Sequence, residues 1–132
     1  MIRHKSALHA MNVNVSEMAS RFDIVHDVDC IYHNSGMGFW CVFEWKNPGE
    51  TSSSRGTQRS LFTIDEAFAD ASDSYKGLFI VRLGFSIDEF PLTDAEPVDI
   101  VHMHGGVVRD ERTYATGAKS AIQYILDHGR LL

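Results

Sequence analysis

The distribution of apolar residues along the chain predicts alternating strands and helices. Residues 23–33 are rich in β-branched side chains and residues 39–46 are aromatic, and the Gly-containing segment 34–38 between them is typical of a hairpin loop. A helix is predicted over residues 57–72, where apolar residues recur at helical spacing: Leu61, Ile64, Phe68 and Ala71. The apolar run within residues 77–85 indicates a buried central strand.

A second hairpin and two further helices complete the predicted order. Residues 98–104 and 107–109 flank Gly105-Gly106 and indicate a second, smaller hairpin, and the last apolar residues predict a helix that ends near Gly129. A short helix is expected over residues 16–22, with Asn14 or Ser16 as its cap. No repeat or linker interrupts this order, which predicts one α/β (α+β) domain over residues 1–132.

Length and composition exclude several classes of protein. The chain has 132 residues, of which 44% are hydrophobic and 23% charged, which suffices for one folded core. No apolar run approaches the ~20 residues that span a bilayer, and no signal peptide is evident, so no membrane partner is expected. Two cysteines, Cys30 and Cys41, do not form a disulfide framework, which favours an intracellular, cytoplasmic protein.

Asp29 and Glu44 are predicted to face each other across the first hairpin. A turn centred between Gly36 and Met37 pairs them, and the alternation of side chains places Lys46 on the same face. A register shifted by one residue would misplace this pair, and Asp27, on the same face as Asp29, is then the alternative acid.

Opposed carboxylates repel each other unless a positive charge lies between them. A divalent cation meets this need, and carboxylate oxygens select Mg²⁺ or Mn²⁺ over softer metals. Lys46 would hold a phosphate or the attacking water beside the metal. A metal ion and a lysine together can catalyse the cleavage of a phosphodiester. The competing interpretation is an ordinary solvent-facing strand end, although Glu44 stands between Phe43 and Trp45, where a spare carboxylate is costly.

The residues Asp29 and Glu44-Trp45-Lys46 resemble the Asp…(Asp/Glu)-X-Lys signature of the PD-(D/E)XK nuclease superfamily, with Val28 where the signature has proline. The predicted element order is similar from about residue 14 to residue 85, and Gln58 resembles the glutamine that many members place near the metal. The resemblance implies a restriction-endonuclease-like fold: a mixed β-sheet flanked by helices, with an αβββαβ-type core and an extra C-terminal hairpin and helix.

The resemblance also implies a function, namely Mg²⁺- or Mn²⁺-dependent hydrolysis of DNA phosphodiester bonds. Asp29, Glu44 and the backbone carbonyl of Trp45 would hold the metal, Lys46 would orient the nucleophile, and Gln58 would position water or phosphate. Glu17 would take the place of an early helical acid. Small members of this fold are similar to Holliday-junction resolvases or phage-type nucleases and are commonly homodimers, so a structure-specific homodimeric enzyme is expected.

Charge restricts where DNA can bind. The formal net charge is −6, and half of the eighteen acidic residues lie between residues 65 and 99. The span from residue 46 to residue 59 carries Lys46, Arg55 and Arg59 against Glu50 alone, so DNA contact is expected there. Ordinary surface charge is the alternative for the two arginines. The acidity elsewhere favours a narrow, structure-guided contact or delivery by a partner protein.

Two other interpretations stay open. In the first, the chain is a catalytically inactive nucleic-acid- or protein-binding module on the same fold. In the second, it is a zinc-dependent or structural protein that uses His102 and His104, which share one strand.

Cys30 and Cys41 are predicted to lie on the face opposite the acids as structural thiols. Trp40 and Trp45 are predicted to pack in the core on opposite faces.

Overall fold

The computed structural model describes residues 29–46, 55–84 and 92–132, with the side chains of 55–59 left undescribed. In chain order its elements are β1 Cys30–Asn34, β2 Phe39–Lys46, α1 Arg55–Ala71, β3 Tyr75–Leu83, β4 Val98–His104, β5 Val107–Tyr114 and α2 Ala118–His128. The strands form one sheet in the order β1-β2-β3-β4-β5, in which β2 and β3 are parallel and the other neighbours antiparallel. The predicted α+β class, a mixed sheet flanked by helices, is confirmed.

The two helices cover opposite faces of the sheet, because each strand alternates its apolar side chains between them. On the α1 face, Leu61 packs against Val42, Leu78 and Met103. The α2 face holds the larger core, in which buried residues of α2 contact Cys41, Phe43 and Phe79. The predicted orientation of both cysteines and of both tryptophans is confirmed, since Cys30, Cys41 and Trp45 belong to the α2 face and Trp40 to the α1 face.

The register of the first hairpin agrees with the sequence-based prediction. Cys30 pairs with Phe43 and Asn34 with Phe39, which is the pairing that a turn centred between Gly36 and Met37 requires. The predicted helix over residues 16–22 and the first strand before residue 29 lie outside the described residues. In the described part of the chain, two strands precede α1, so an αβββαβ core would need its remaining elements among residues 1–28.

The C-terminal half differs from the prediction mainly at strand ends. β3 begins at Tyr75 rather than at residue 77, and β5 continues to Tyr114 rather than ending at residue 109. The sequence of β5 from Arg109 onward is polar and shows no apolar alternation, and most of its side chains are exposed. β5 is a strand because its backbone pairs with β4, and the hydropathy of the sequence does not predict such pairing.

The start of α2 is held by a side chain from a distant loop. Gly117 precedes the helix and provides no side-chain cap, and Asp94 instead accepts hydrogen bonds from the backbone N–H and the hydroxyl of Ser120, both at 2.7 Å. These bonds satisfy a helix N–H that would otherwise lack a partner within the helix.

Acid should therefore weaken the fold through Asp94. Hydrogen bonds from Ser120 lower the pKa of Asp94 below its usual 3.8, so their stabilisation is present above that value and is lost as the pH falls through the lowered pKa. We expect Asp94→Asn to lower the urea midpoint at pH 7 and to differ less from the wild type at pH 3. Asp70→Asn, an exposed change on α1, is the control. An equal deficit at both pH values would contradict this role of the ionised carboxylate.

Candidate functional site

Glu44 and Lys46 lie on the α1 face at the end of β2, two residues apart, and each is 8% exposed. The alternation that buries Val42 beneath α1 carries both charged side chains to the same face. Charged groups are seldom buried to this degree without a partner or a function, because leaving water is costly for them. This face of β2 is therefore the first candidate for a functional site.

Asp29 lies beside this pair at the exposed edge of the sheet. The observed pairing of the hairpin ends with Cys30 opposite Phe43, so Asp29 lies one residue beyond the ladder, and its Oδ2 accepts a hydrogen bond of 2.8 Å from the backbone N–H of Trp45. In an extended strand, the N–H and C=O of one residue point to the same side, so the Trp45 carbonyl is directed toward the Asp29 edge as well. The hydrogen bond brings the Asp29 carboxylate to the backbone between Glu44 and Lys46, and the convergence of the three side chains on one face stays a prediction.

Two charged residues that the sequence analysis did not select, Arg82 and Asp99, continue the row formed by Glu44 and Lys46 onto the next two strands of the sheet. Lys46 pairs with Arg82 of β3, and Arg82 pairs in turn with Asp99 of β4. Arg82 is half-buried, and its Nε is enclosed without a hydrogen-bond partner among the described residues. The sequence does point to Arg82, because it is the one charged residue in the apolar run of residues 78–83. Glu44 stands out in the same way, between two aromatic residues.

The first turn of α1 lies at the same end of the sheet. Because α1 connects the parallel neighbours β2 and β3, it runs antiparallel to both and begins near the level where β2 ends. Arg55, Gln58 and Arg59 belong to this turn, although their side chains lie outside the described part. Glu17 and Asp27, the additional predicted acids, also lie outside the described residues.

The donor atoms at this site suit a hard cation. The carboxylates of Asp29 and Glu44 and a carbonyl oxygen such as that of Trp45 are the kinds of ligand that Mg²⁺ and Mn²⁺ prefer. Within the described ranges, no group of three or more His, Cys, Asp or Glu side chains is arranged to hold a metal ion. A metal here would therefore rely on the two carboxylates, the carbonyl and water, as the predicted ligand set does.

The thiols and the histidines lie away from this face. Cys41 is fully buried on the α2 face, where burial raises the pKa of its thiol to about 12, so it stays protonated and unreactive near neutral pH. His102 and His104 stand near the opposite end of the sheet, where the Nε2 of each lies within hydrogen-bond distance of a β3 backbone carbonyl.

No family model, curated protein or solved structure matches the chain. None of the helices in the described ranges combines the length and the hydropathy that crossing a membrane requires.

Proposed function

We propose that the protein is a metal-dependent nuclease that hydrolyses DNA phosphodiester bonds. The observation that carries the proposal is the pair Glu44 and Lys46, both buried on one face of β2, with the Asp29 carboxylate hydrogen-bonded to the backbone of Trp45 between them. The sequence signature that these residues share with the PD-(D/E)XK nucleases supports the same function.

Each residue has a distinct role in this proposal. Asp29, Glu44 and the Trp45 carbonyl hold Mg²⁺ or Mn²⁺, which when bound polarises the phosphate and lowers the pKa of a coordinated water. Lys46 orients the nucleophile and offsets charge that develops on the phosphate, with more effect in a site from which water is largely excluded. Arg82 lies beside Lys46 and adds a second positive charge, and Gln58 of α1 positions water or phosphate.

Substrate and partners follow from charge and size. The net charge of −6 limits DNA contact to the end of the sheet where Lys46, Arg55, Arg59 and Arg82 lie, which favours a structure-specific substrate over general coating of duplex DNA. A homodimer supplies a second site for a branched junction, and a delivery protein compensates for the acidic surface. The proposed setting is the cytoplasm, where both cysteines stay reduced.

The burial of the charged pair favours a second candidate, a catalytically inactive binding module on the same fold. Glu44 and Lys46 leave 8% of their surfaces accessible, and a carboxylate and an ammonium on neighbouring positions of one face also offset each other's charge. In that case DNA or a protein binds at this face without being cleaved.

Metal dependence separates the two candidates. We expect Mg²⁺ or Mn²⁺ to raise the melting temperature by several degrees, since a ligand that binds the folded state stabilises it. The same ions should support cleavage in a panel of linear, branched, single-stranded and supercoiled DNA. Glu44→Gln should abolish both effects and remain folded, whereas Glu111→Gln on the exposed strand β5 is the matched control. DNA binding without cleavage of any substrate, at saturating metal, would establish the binding module instead.

A further inference from the structure

An open pocket of about 360 Å³ lies at the other end of the sheet, where β3 begins and β4 ends. Lys76, Arg109, His102 and His104 line it, and Asp73 is the one carboxylate among the described residues of the lining. Lys76 and Arg82 are six positions apart along β3, so the pocket is about 20 Å from the Glu44 and Lys46 site at ~3.3 Å per residue. The proposed nuclease reaction uses none of the residues in this pocket.

The guanidinium of Arg109 is held in place at the rim. Its Nε donates a hydrogen bond of 3.0 Å to the backbone carbonyl of His104, which leaves the two terminal nitrogens for a ligand. Neither cation at this rim, Arg109 or Lys76, is paired with a carboxylate in the part of the chain that the structure describes.

Lys76 is anchored through its stem. Gly129 ends α2 with φ of +68°, and a Cβ at this position would come within 2.8 Å of Lys76 Cγ. The backbone after α2 thus packs directly against the lysine stem, which limits the rotamers of the side chain and reduces the entropy lost when its ammonium binds a ligand.

The two imidazoles form a rigid wall. His102 stacks on Phe79 with ring centroids 4.3 Å apart, and its Nε2 lies 2.8 Å from the Lys76 carbonyl. His104 stacks on Tyr75, and its Nε2 lies 3.2 Å from the Tyr75 carbonyl. Because a carbonyl only accepts hydrogen bonds, Nε2 carries the proton in both rings. Nδ1 of a neutral ring is then an acceptor, which can take a hydrogen bond only from a protonated oxygen of a phosphate.

From this geometry we propose that the pocket binds a phosphate group. Lys76 and Arg109 outweigh Asp73, and their ammonium and guanidinium donors approach from different elements, which suits a tetrahedral anion with several oxygens. A planar carboxylate would need only the arginine fork. The phosphate is either free or the terminal group of a nucleic-acid strand, and both present the same oxygens.

The test is calorimetric titration of the full chain with inorganic phosphate, in EDTA so that no divalent cation takes part. We expect millimolar or tighter binding, weakened about tenfold or more by Arg109→Gln and by Lys76→Gln, because each removes a charge-assisted hydrogen bond. Arg112→Gln and Lys119→Gln, exposed cations on β5 and α2, should leave the affinity unchanged. Absence of binding by the wild type, or equal loss in the control variants, would overturn the proposal.

A second comparison distinguishes the two sources of phosphate. A 5′-phosphorylated oligonucleotide that binds more tightly than its unphosphorylated form, with the difference lost in Arg109→Gln, would identify the strand end as the ligand. An equal affinity for the two oligonucleotides, together with binding of inorganic phosphate, would identify the free anion. The Glu44→Gln variant should bind phosphate as the wild type does, so failure of the nuclease proposal leaves this one intact.

Discussion

Replacing Lys46 with alanine is expected to lower DNA cleavage by two orders of magnitude or more while the protein stays folded. Lys46 lies two residues beyond Glu44 on the same face and is 8% exposed, so its charge acts in surroundings that screen it poorly. Removing one group that stabilises developing transition-state charge typically costs about 3–4 kcal/mol, equivalent to a factor of 10² to 10³ in rate. The measurement is the single-turnover cleavage rate at saturating Mg²⁺.

Two controls make this result specific. Lys46→Met keeps most of the buried volume while removing the charge, so it separates loss of chemistry from loss of packing. Lys119→Ala removes an exposed lysine from α2 and should cleave at the wild-type rate. Cleavage at the wild-type rate by Lys46→Met would exclude the role assigned to this ammonium.

The second large effect concerns Asp65, a fully buried carboxylate on α1. Its Oδ1 accepts a hydrogen bond of 2.5 Å from the Tyr75 hydroxyl, and its Oδ2 accepts one of 2.8 Å from the backbone N–H of Gly106. Gly105 and Gly106, with φ of 70° and 77°, form the tight turn between β4 and β5. Asp65 therefore joins α1 to the start of β3 and to the second hairpin.

We expect Asp65→Ala to lower the free energy of unfolding by about 3 kcal/mol, because both donors lose their partner at about 1–3 kcal/mol each. Burial and the hydrogen bond to Asp65 raise the pKa of Tyr75, so its hydroxyl remains a donor over the accessible pH range. Tyr75→Phe should cost less, about 1 kcal/mol, since Gly106 keeps its acceptor. Urea unfolding measures both changes.

Asp70→Ala is the matched control, because Asp70 lies on the exposed side of the same helix. Its free energy of unfolding should stay within about 0.5 kcal/mol of the wild type. A comparable loss in Asp65→Ala and Asp70→Ala would show that helix propensity, rather than the buried network, accounts for the effect.

The candidate site was partly predictable because strands have a strict period of two. Glu44 and Lys46 share a face in any register, and the length of the loop between β1 and β2 placed Asp29 at their level. Arg82 and Asp99 could not be assigned to the same row, since no local pattern tells which strands are neighbours. The role of Asp65 was also hidden, because an acid within an amphipathic helix looks like a solvated residue until its partners are known.

Local patterns in the sequence determined the elements of this protein: the first hairpin and its register, helix α1 within two residues, the central strand and the C-terminal helix. Their physical basis is short-range, since side-chain periodicity and turn residues act within a few positions. Only the tertiary structure decided the order of strands in the sheet, the extent of β5, the link from Asp65 to Tyr75 and Gly106, and the pocket of Lys76 and Arg109. Each of these joins residues far apart in the chain, and the free energy that selects such contacts comes from burial and pairing that exist only once the whole sheet has formed.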